Sequence, residues 1–394
     1  MLGVKLPAAG MKCPAAPRSL LTFVVAATVG GSLALSTGPI LAPDSAAYSR
    51  GAERLIATGL DFPELVAAAS TTYPAVLYSL FLMLVVVLKL LFGTAWPAAL
   101  IAVNVLALAG TAALVVRGSS IATGSASAAW AALLLFVACF DLLRWGAFAL
   151  SDATFIFVSF AVFALAADRI VHRAGSWAPV FTLACVAAFY RPPGVVLLPA
   201  AAWAWFLARS SPGTLRRVAT GAAAAACGAG TVVFAWVMQQ PERWPLPVLA
   251  ETVEATATRY AAGEVVYART ETFHEPPRSL ADFVSITADR LAHFFAFSAS
   301  DFSLGHILAN GAFFLPAYAL AALALVGRTT GQGGFSSGQR DVLLAAAAFI
   351  FLTAWFHALL QVDFDWRYRA PILPHLILLA AAGVTVLLRR MRPA

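Results

Sequence analysis

Residues 19–48 read SLLTFVVAATVGGSLALSTGPILA followed by PDSAAY. From Ser19 to Ala42 no side chain is charged, and the run exceeds the roughly 20 residues that carry a helix across a bilayer. Lys5, Lys12 and Arg18 precede it. A basic stretch before an apolar one has the form of a secretory leader. Pro43-Asp44, however, stands where a leader would carry small residues for cleavage, so the run reads as an uncleaved first span. Asp44 then sits just where that span emerges.

The rest of the chain repeats the first reading. It is 61% hydrophobic and 11% charged, against about a quarter charged for a globular protein. Apolar segments fall near 19–42, 73–92, 96–116, 121–142, 153–167, 177–189, 194–208, 218–238, 304–327, 342–361 and 370–388. The expected fold is all-α: one polytopic membrane domain over residues 1–394 with about ten or eleven transmembrane helices. Two loops are long, 43–72 and 239–303, and the helices of 304–389 follow the second. Residues 329–340, rich in Gly and Ser, form a flexible connector. The net charge of +7 does not indicate nucleic acid, because the basic residues are grouped at span ends. The four cysteines (Cys13, Cys139, Cys185, Cys227) are isolated and show neither disulfide nor metal spacing.

Charge sets the sides. Arg209, Arg216 and Arg217, with Arg389, Arg390 and Arg392, mark the cytoplasmic face. Walking back from the tail places 363–369 outside, 329–340 inside, 239–303 outside and Arg209–Arg217 inside. With 177–189 and 194–208 as two short helices, Arg191 is outside, Asp168 to Arg173 inside, and Asp152 outside. Walking forward puts Asp44 outside as well. The three segments 73–92, 96–116 and 121–142 then have the wrong parity, so one of them does not cross. The expected one is 73–92, lying along or dipping into the outer leaflet. If 177–208 is a single kinked span, this parity argument lapses.

Five features would then share the outer side: Asp44 with Tyr48 and Arg50, Tyr73-Pro74, Ser151-Asp152, Arg191-Pro192-Pro193, and Arg367-Tyr368-Arg369. Charges near a membrane are costly and usually have partners and a function. Carboxylates beside arginines suit acid–base work next to a phosphate, which the planar guanidinium fork binds well. Each residue also has a plainer reading. Asp44 and Asp152 are well placed to cap the helices that follow them. Arg191 can anchor a helix break, and Arg367 and Arg369 can be interfacial anchors beside Trp366 and Tyr368. His357 and His375 lie on apolar helices as packing residues. No metal motif is present, which leaves a divalent metal unassigned.

The order of these pieces resembles the GT-C superfamily of integral-membrane glycosyltransferases, in particular its protein mannosyltransferase and aminoarabinose transferase-like branch. The matching stretches are Pro43-Asp44-Ser45-Ala46-Ala47-Tyr48, Tyr73-Pro74-Ala75-Val76-Leu77-Tyr78, Leu150-Ser151-Asp152-Ala153, Tyr190-Arg191-Pro192-Pro193-Gly194, and Arg367-Tyr368-Arg369-Ala370-Pro371-Ile372-Leu373-Pro374. The resemblance implies transfer of a sugar from a polyprenyl-phosphate donor to an acceptor on the outer face of a bacterial plasma-membrane-type bilayer. It makes Asp44 the catalytic base and Asp152 a second acidic position for acceptor or metal contacts. It makes Arg191, Arg367 and Arg369, with Tyr368, the donor-phosphate candidates. Tyr48, Tyr73, His274 and Glu275 become substrate-binding candidates. The Trp-Trp-Asp signature of oligosaccharyltransferases is missing, and the tail ends near the last helix. A glycan, lipid or polymer acceptor is therefore expected rather than a peptide sequon. A transporter or flippase for a lipid-linked glycan is the competing reading, although the two halves lack the repeat symmetry usual in transporters. A non-catalytic assembly subunit with the same fold is the third.

Overall fold

The computed structural model describes residues 15–61, 78–210, 214–240, 254, 257–258, 277–299, 302–330, 334–360 and 366–391. They form helices α1 (Ala15–Thr37), α2 (Pro43–Ala57), α3 (Ser79–Phe92), α4 (Trp96–Thr123), α5 (Ala126–Ala138), α6 (Phe140–Leu143), α7 (Asp152–His172), α8 (Ala178–Tyr190) and α9 (Leu197–Arg209). The chain continues through α10 (Thr214–Gln239), α11 (Leu280–Phe294), α12 (Leu304–Thr330), α13 (Ser337–Leu359), α14 (Trp366–Arg369) and α15 (Leu373–Arg390). Among the described residues the sole β pairing is an isolated parallel bridge, Ile40 with Phe148.

The all-helical, polytopic membrane architecture follows from the apolar runs, but among the described residues fewer helices qualify as candidate spans than the ten or eleven expected. Among the described residues seven helices are long and apolar enough to cross, or up to eight if a bent pair makes one span. Local breaks account for the difference. The 121–142 run is interrupted at Cys139, where the chain bends by 66° between α5 and the turn ending at Ala147. Helices α8 and α9 have 13 residues each, about 20 Å of helix against a hydrocarbon core of about 30 Å. They are two helices rather than one kinked span. A 3-10 turn over Pro192–Val196 separates them, and the chain folds back so closely that a Cβ on Gly194 would lie 2.0 Å from the Ala187 carbonyl oxygen.

Helix α3 packs along α2. The ring of Tyr78, just before it, lies tilted against that of Tyr48 of α2 at 5.8 Å between centroids. At its far end Lys89 meets Glu53 of α2 at 2.5 Å, and Gly93, with φ of 55°, lies in a cleft with Leu41 and Ala42. Both ends of α3 therefore touch the segment that leaves α1. The turn Gly93–Ala95 then feeds α4, which runs alongside α1 and gives a continuous apolar path of 45 residues from Ser79 to Thr123.

The centre of the bundle is α15. The stretch Arg367–Arg390 is the most enclosed of the candidate spans, with 83% of its apolar window buried. Small residues permit this enclosure, as is usual where helices pack in lipid. A Cβ on Gly383 would stand 2.0 Å from the backbone oxygen of Leu320 in α12. Gly383→Ala is expected to force α12 and α15 apart and to destabilise the protein by about 2 kcal/mol. Unfolding in mixed micelles with increasing SDS would measure this, and an unchanged midpoint would contradict the close approach. His375 of α15 sits among the rings of Phe160, Phe163 and Phe349, at 5.0, 4.9 and 5.0 Å, which is the packing role expected of it.

The two ends of the bundle differ in charge. At one, Gly338 packs against Val171, Arg389 lies over Phe335, and Arg117 and Arg169 meet Asp168. At the other, the starts of α2, α7 and α14 meet the end of α8.

Candidate functional site

Short polar ties at that second end set the geometry. The Ile40 N–H donates to the Ala147 carbonyl at 3.0 Å, and the Ala149 N–H donates to the Ile40 carbonyl at 3.0 Å. The Ser45 hydroxyl donates to the Ala149 carbonyl at 2.9 Å. Asn104, buried within α4, donates its amide to the Phe148 and Leu150 carbonyls at 2.8 and 3.0 Å. The exit of α1 and the entry to α7 are thus laced together, and the acids that follow them, Asp44 and Asp152, are held in fixed relation.

Neither acid caps its helix. The cap position of α2 is Ala42, with Pro43 in the first turn where its missing N–H costs nothing. The Ser45 hydroxyl, not Asp44, accepts the Ala42 N–H at 3.0 Å. Helix α7 starts after Ser151 without a side-chain cap. Both carboxylates turn instead to arginines brought from far along the chain. Arg367 donates from Nη1 to Asp44 Oδ2 at 2.5 Å and from Nε to Asp152 Oδ1 at 3.2 Å. Arg191 donates from Nη1 to the same Asp152 Oδ1. The result is a chain of alternating charge, Asp44–Arg367–Asp152–Arg191.

The two ends of this chain have different surroundings. The Arg191 and Asp152 side chains are 5% and 1% exposed, whereas those of Arg367 and Asp44 are 16% and 28% exposed. Burial pulls the Arg191 guanidinium down, but the Asp152 carboxylate outweighs it and holds Arg191 above the usual arginine value. Asp152 Oδ2 is buried and has no hydrogen-bond partner among the described residues. A buried acceptor left in that state is costly, and it fits a site that receives a hydroxyl or amide donor.

Aromatic rings wall the inner side. Tyr48 packs edge-on to Phe81 at 4.8 Å, and Phe81 packs on Tyr190 at 5.6 Å. The Tyr190 hydroxyl donates to Thr154 Oγ1 at 2.6 Å. Burial, with Tyr78 beside it, drives the Tyr48 phenol well above the tyrosine range, although Arg191 and Arg367 act in the opposite sense. The Tyr48 hydroxyl is therefore held in its neutral form.

Arg369 and Tyr368 stand apart from the other donor-phosphate candidates. Arg369 donates from Nη2 to Asp141 Oδ2 at 2.9 Å and from Nη1 to the Ala296 carbonyl, and its guanidinium lies 4.1 Å from the centroid of Phe314. At 1% exposed it is enclosed by these contacts. Two positions apart on the one short turn of α14, Arg367 and Arg369 go to different partners. The ring of Tyr368 packs on His357 at 5.0 Å. Tyr73, His274 and Glu275 lie outside the described residues. Among the described residues no three His, Cys, Asp or Glu side chains are grouped to hold a metal ion.

Asn104 and Asp141 are absent from the sequence reading of the site, and Tyr78 and Tyr190 stand in its quoted motifs without a role. Two of them carried a signal. Asn104 is the only side-chain amide in the 96–116 run, and Asp141 the only charge in 121–142; such residues inside apolar helices usually have a partner across the bundle. The two tyrosines carried none beyond their membership of quoted motifs. Comparison of the chain with protein-family models, curated proteins and solved structures gives no match.

Proposed function

We propose that this chain is a GT-C-like membrane glycosyltransferase that moves a sugar from a polyprenyl-phosphate donor to a lipid, glycan or polymer acceptor. The observation that carries the reading is the convergence of Asp44, Asp152, Arg191 and Arg367, four residues from distant segments, at one end of a helical membrane bundle. That end lies opposite the helix ends bearing Arg117, Arg169 and Arg389. By the excess of basic residues in cytoplasmic loops, this orients the site to the outer face of a bacterial plasma-membrane-type bilayer.

The chemistry assigned to each residue follows from its setting. Asp44, the more exposed acid, takes the proton of the acceptor hydroxyl. The oxygen attacks the anomeric carbon, the carbon–oxygen bond to phosphate breaks, and polyprenyl phosphate leaves on the opposite face with inversion. Arg367 stabilises the charge that develops on the phosphate, where a fixed cation in a low-dielectric site is most effective. Asp152 holds the two arginines and offers Oδ2 to a sugar hydroxyl. Tyr48 and Tyr190 wall the site away from the bundle interior.

Purified protein in proteoliposomes, given a radiolabelled polyprenyl-phosphate sugar and mixed lipid and glycan acceptors, is expected to form a glycosidic product and release polyprenyl phosphate. Movement of intact donor across the bilayer, without a new glycosidic bond, would overturn the reading in favour of a transporter.

A further inference from the structure

Resting on that reading, we propose that Arg367 is an exchangeable counter-ion: it masks Asp44 in the empty site and passes to the donor phosphate on binding, so that loading the donor unmasks the base. The two arginines of the cluster are not equivalent. Arg191 is fixed. Its backbone N–H is held by the Ala187 carbonyl at 3.2 Å, the Pro192-Pro193 turn follows it at once, its ring neighbour is Phe155 at 5.9 Å, and its side chain is almost fully enclosed. Arg367 is at the open side, and one guanidinium serves two carboxylates through different nitrogens.

The cost of moving each arginine differs accordingly. Withdrawing Arg191 would leave Asp152, at 1% exposed, dependent on the longer contact from Arg367 Nε. Breaking a buried pair in this way is expensive. If Arg367 turns its Nη1 from Asp44, Asp152 keeps Arg191, and Asp44 is exposed enough to take a water or an acceptor hydroxyl in its place. The group with the lower cost of release is therefore the one beside the proposed base. A phosphate is a strong competitor for it, because guanidinium and phosphate form parallel charge-assisted hydrogen bonds.

Two consequences follow. Without donor, Asp44 Oδ2 is occupied by the Arg367 guanidinium and is not presented to a hydroxyl, so water is not activated in an empty site. With donor, one movement supplies both the phosphate contact and the base.

A double-mutant cycle tests this, with polyprenyl phosphate as the binding probe and full-length protein in nanodiscs at constant pH and salt. If Asp44 competes for Arg367, Asp44→Asn tightens probe binding about tenfold. In an Arg367→Gln background the same substitution leaves probe affinity unchanged. Equal tightening in both backgrounds would show only the loss of a nearby negative charge and would overturn the exchange, as would no tightening in either. Should Arg367→Gln not fold, Arg367→Lys carries the test: a single ammonium is still contested, so Asp44→Asn tightens binding there, and no change overturns the proposal. Failure here is separable from failure of the catalytic reading. Wild-type protein that transfers sugar but gives an additive cycle loses only the exchange. Wild-type protein that neither binds the probe nor transfers sugar loses both.

Discussion

Asp44→Asn is expected to lower the turnover number for sugar transfer by about 10³-fold, the size typical of removing a positioned general base. The protein should still fold. Asparagine matches aspartate in shape, and α2 does not use Asp44 as its cap, since Ser45 accepts the Ala42 N–H. Donor affinity should not fall, because the asparagine amide takes no charge from Arg367. The measurement is initial rate at saturating donor, with binding measured separately on the same preparation. Transfer retained within tenfold of wild type would remove Asp44 from the base role. Asp152→Asn makes the useful contrast. That carboxylate is buried between two arginines, so its loss is expected to reduce stability together with turnover rather than turnover alone.

Arg369→Met is expected to destabilise the protein by about 3–5 kcal/mol, the range for breaking a buried ion pair from one side. It would strand Asp141, 2% exposed in its side chain, among apolar neighbours, and it would remove the hydrogen bond to Ala296 and the cation–ring contact with Phe314. Asp141→Asn/Arg369→Met should recover most of the loss, because replacing both partners leaves no buried charge unpaired. Per folded molecule, the double variant should transfer sugar at the wild-type rate. SDS unfolding gives the stability, and transfer normalised to folded protein gives the rate. If the double variant folds but has lost transfer, Arg369 belongs with the donor phosphate, as the motif alone suggested, and not with the framework of the bundle.

These two arginines show what a motif can and cannot say. Arg367 and Arg369 are two positions apart in one short tract, and the sequence offers both to the same phosphate. On a helical turn, neighbours two apart point in different directions. The partners that separate them lie far off in the chain: Asp44 is 323 residues from Arg367, and Asp141 is 228 from Arg369. No local pattern records such pairings. The competing capping readings of Asp44 and Asp152 were equally undecidable from sequence. An acid at a helix start looks the same whether its carboxylate bonds the helix or a guanidinium from another segment.

The sequence by itself determined that this is a helical membrane protein, because runs without charge as long as Ser19 to Ala42 have no other stable state in lipid. It also determined that the basic residues before Ser19, at Arg209–Arg217 and after Leu388 are grouped beside the apolar runs. Only the tertiary structure decided where helices stop short of a full span, since hydropathy averages over a window and passes across the bend at Cys139 and the fold-back at Gly194. Only it decided that Asp44, Arg367, Asp152 and Arg191 form one alternating cluster while Arg369 is locked in another. The physical reason is the same in each case: burial preference is carried residue by residue along the chain, whereas the choice of an ionic partner depends on which helix ends the packing brings within about 3 Å of one another.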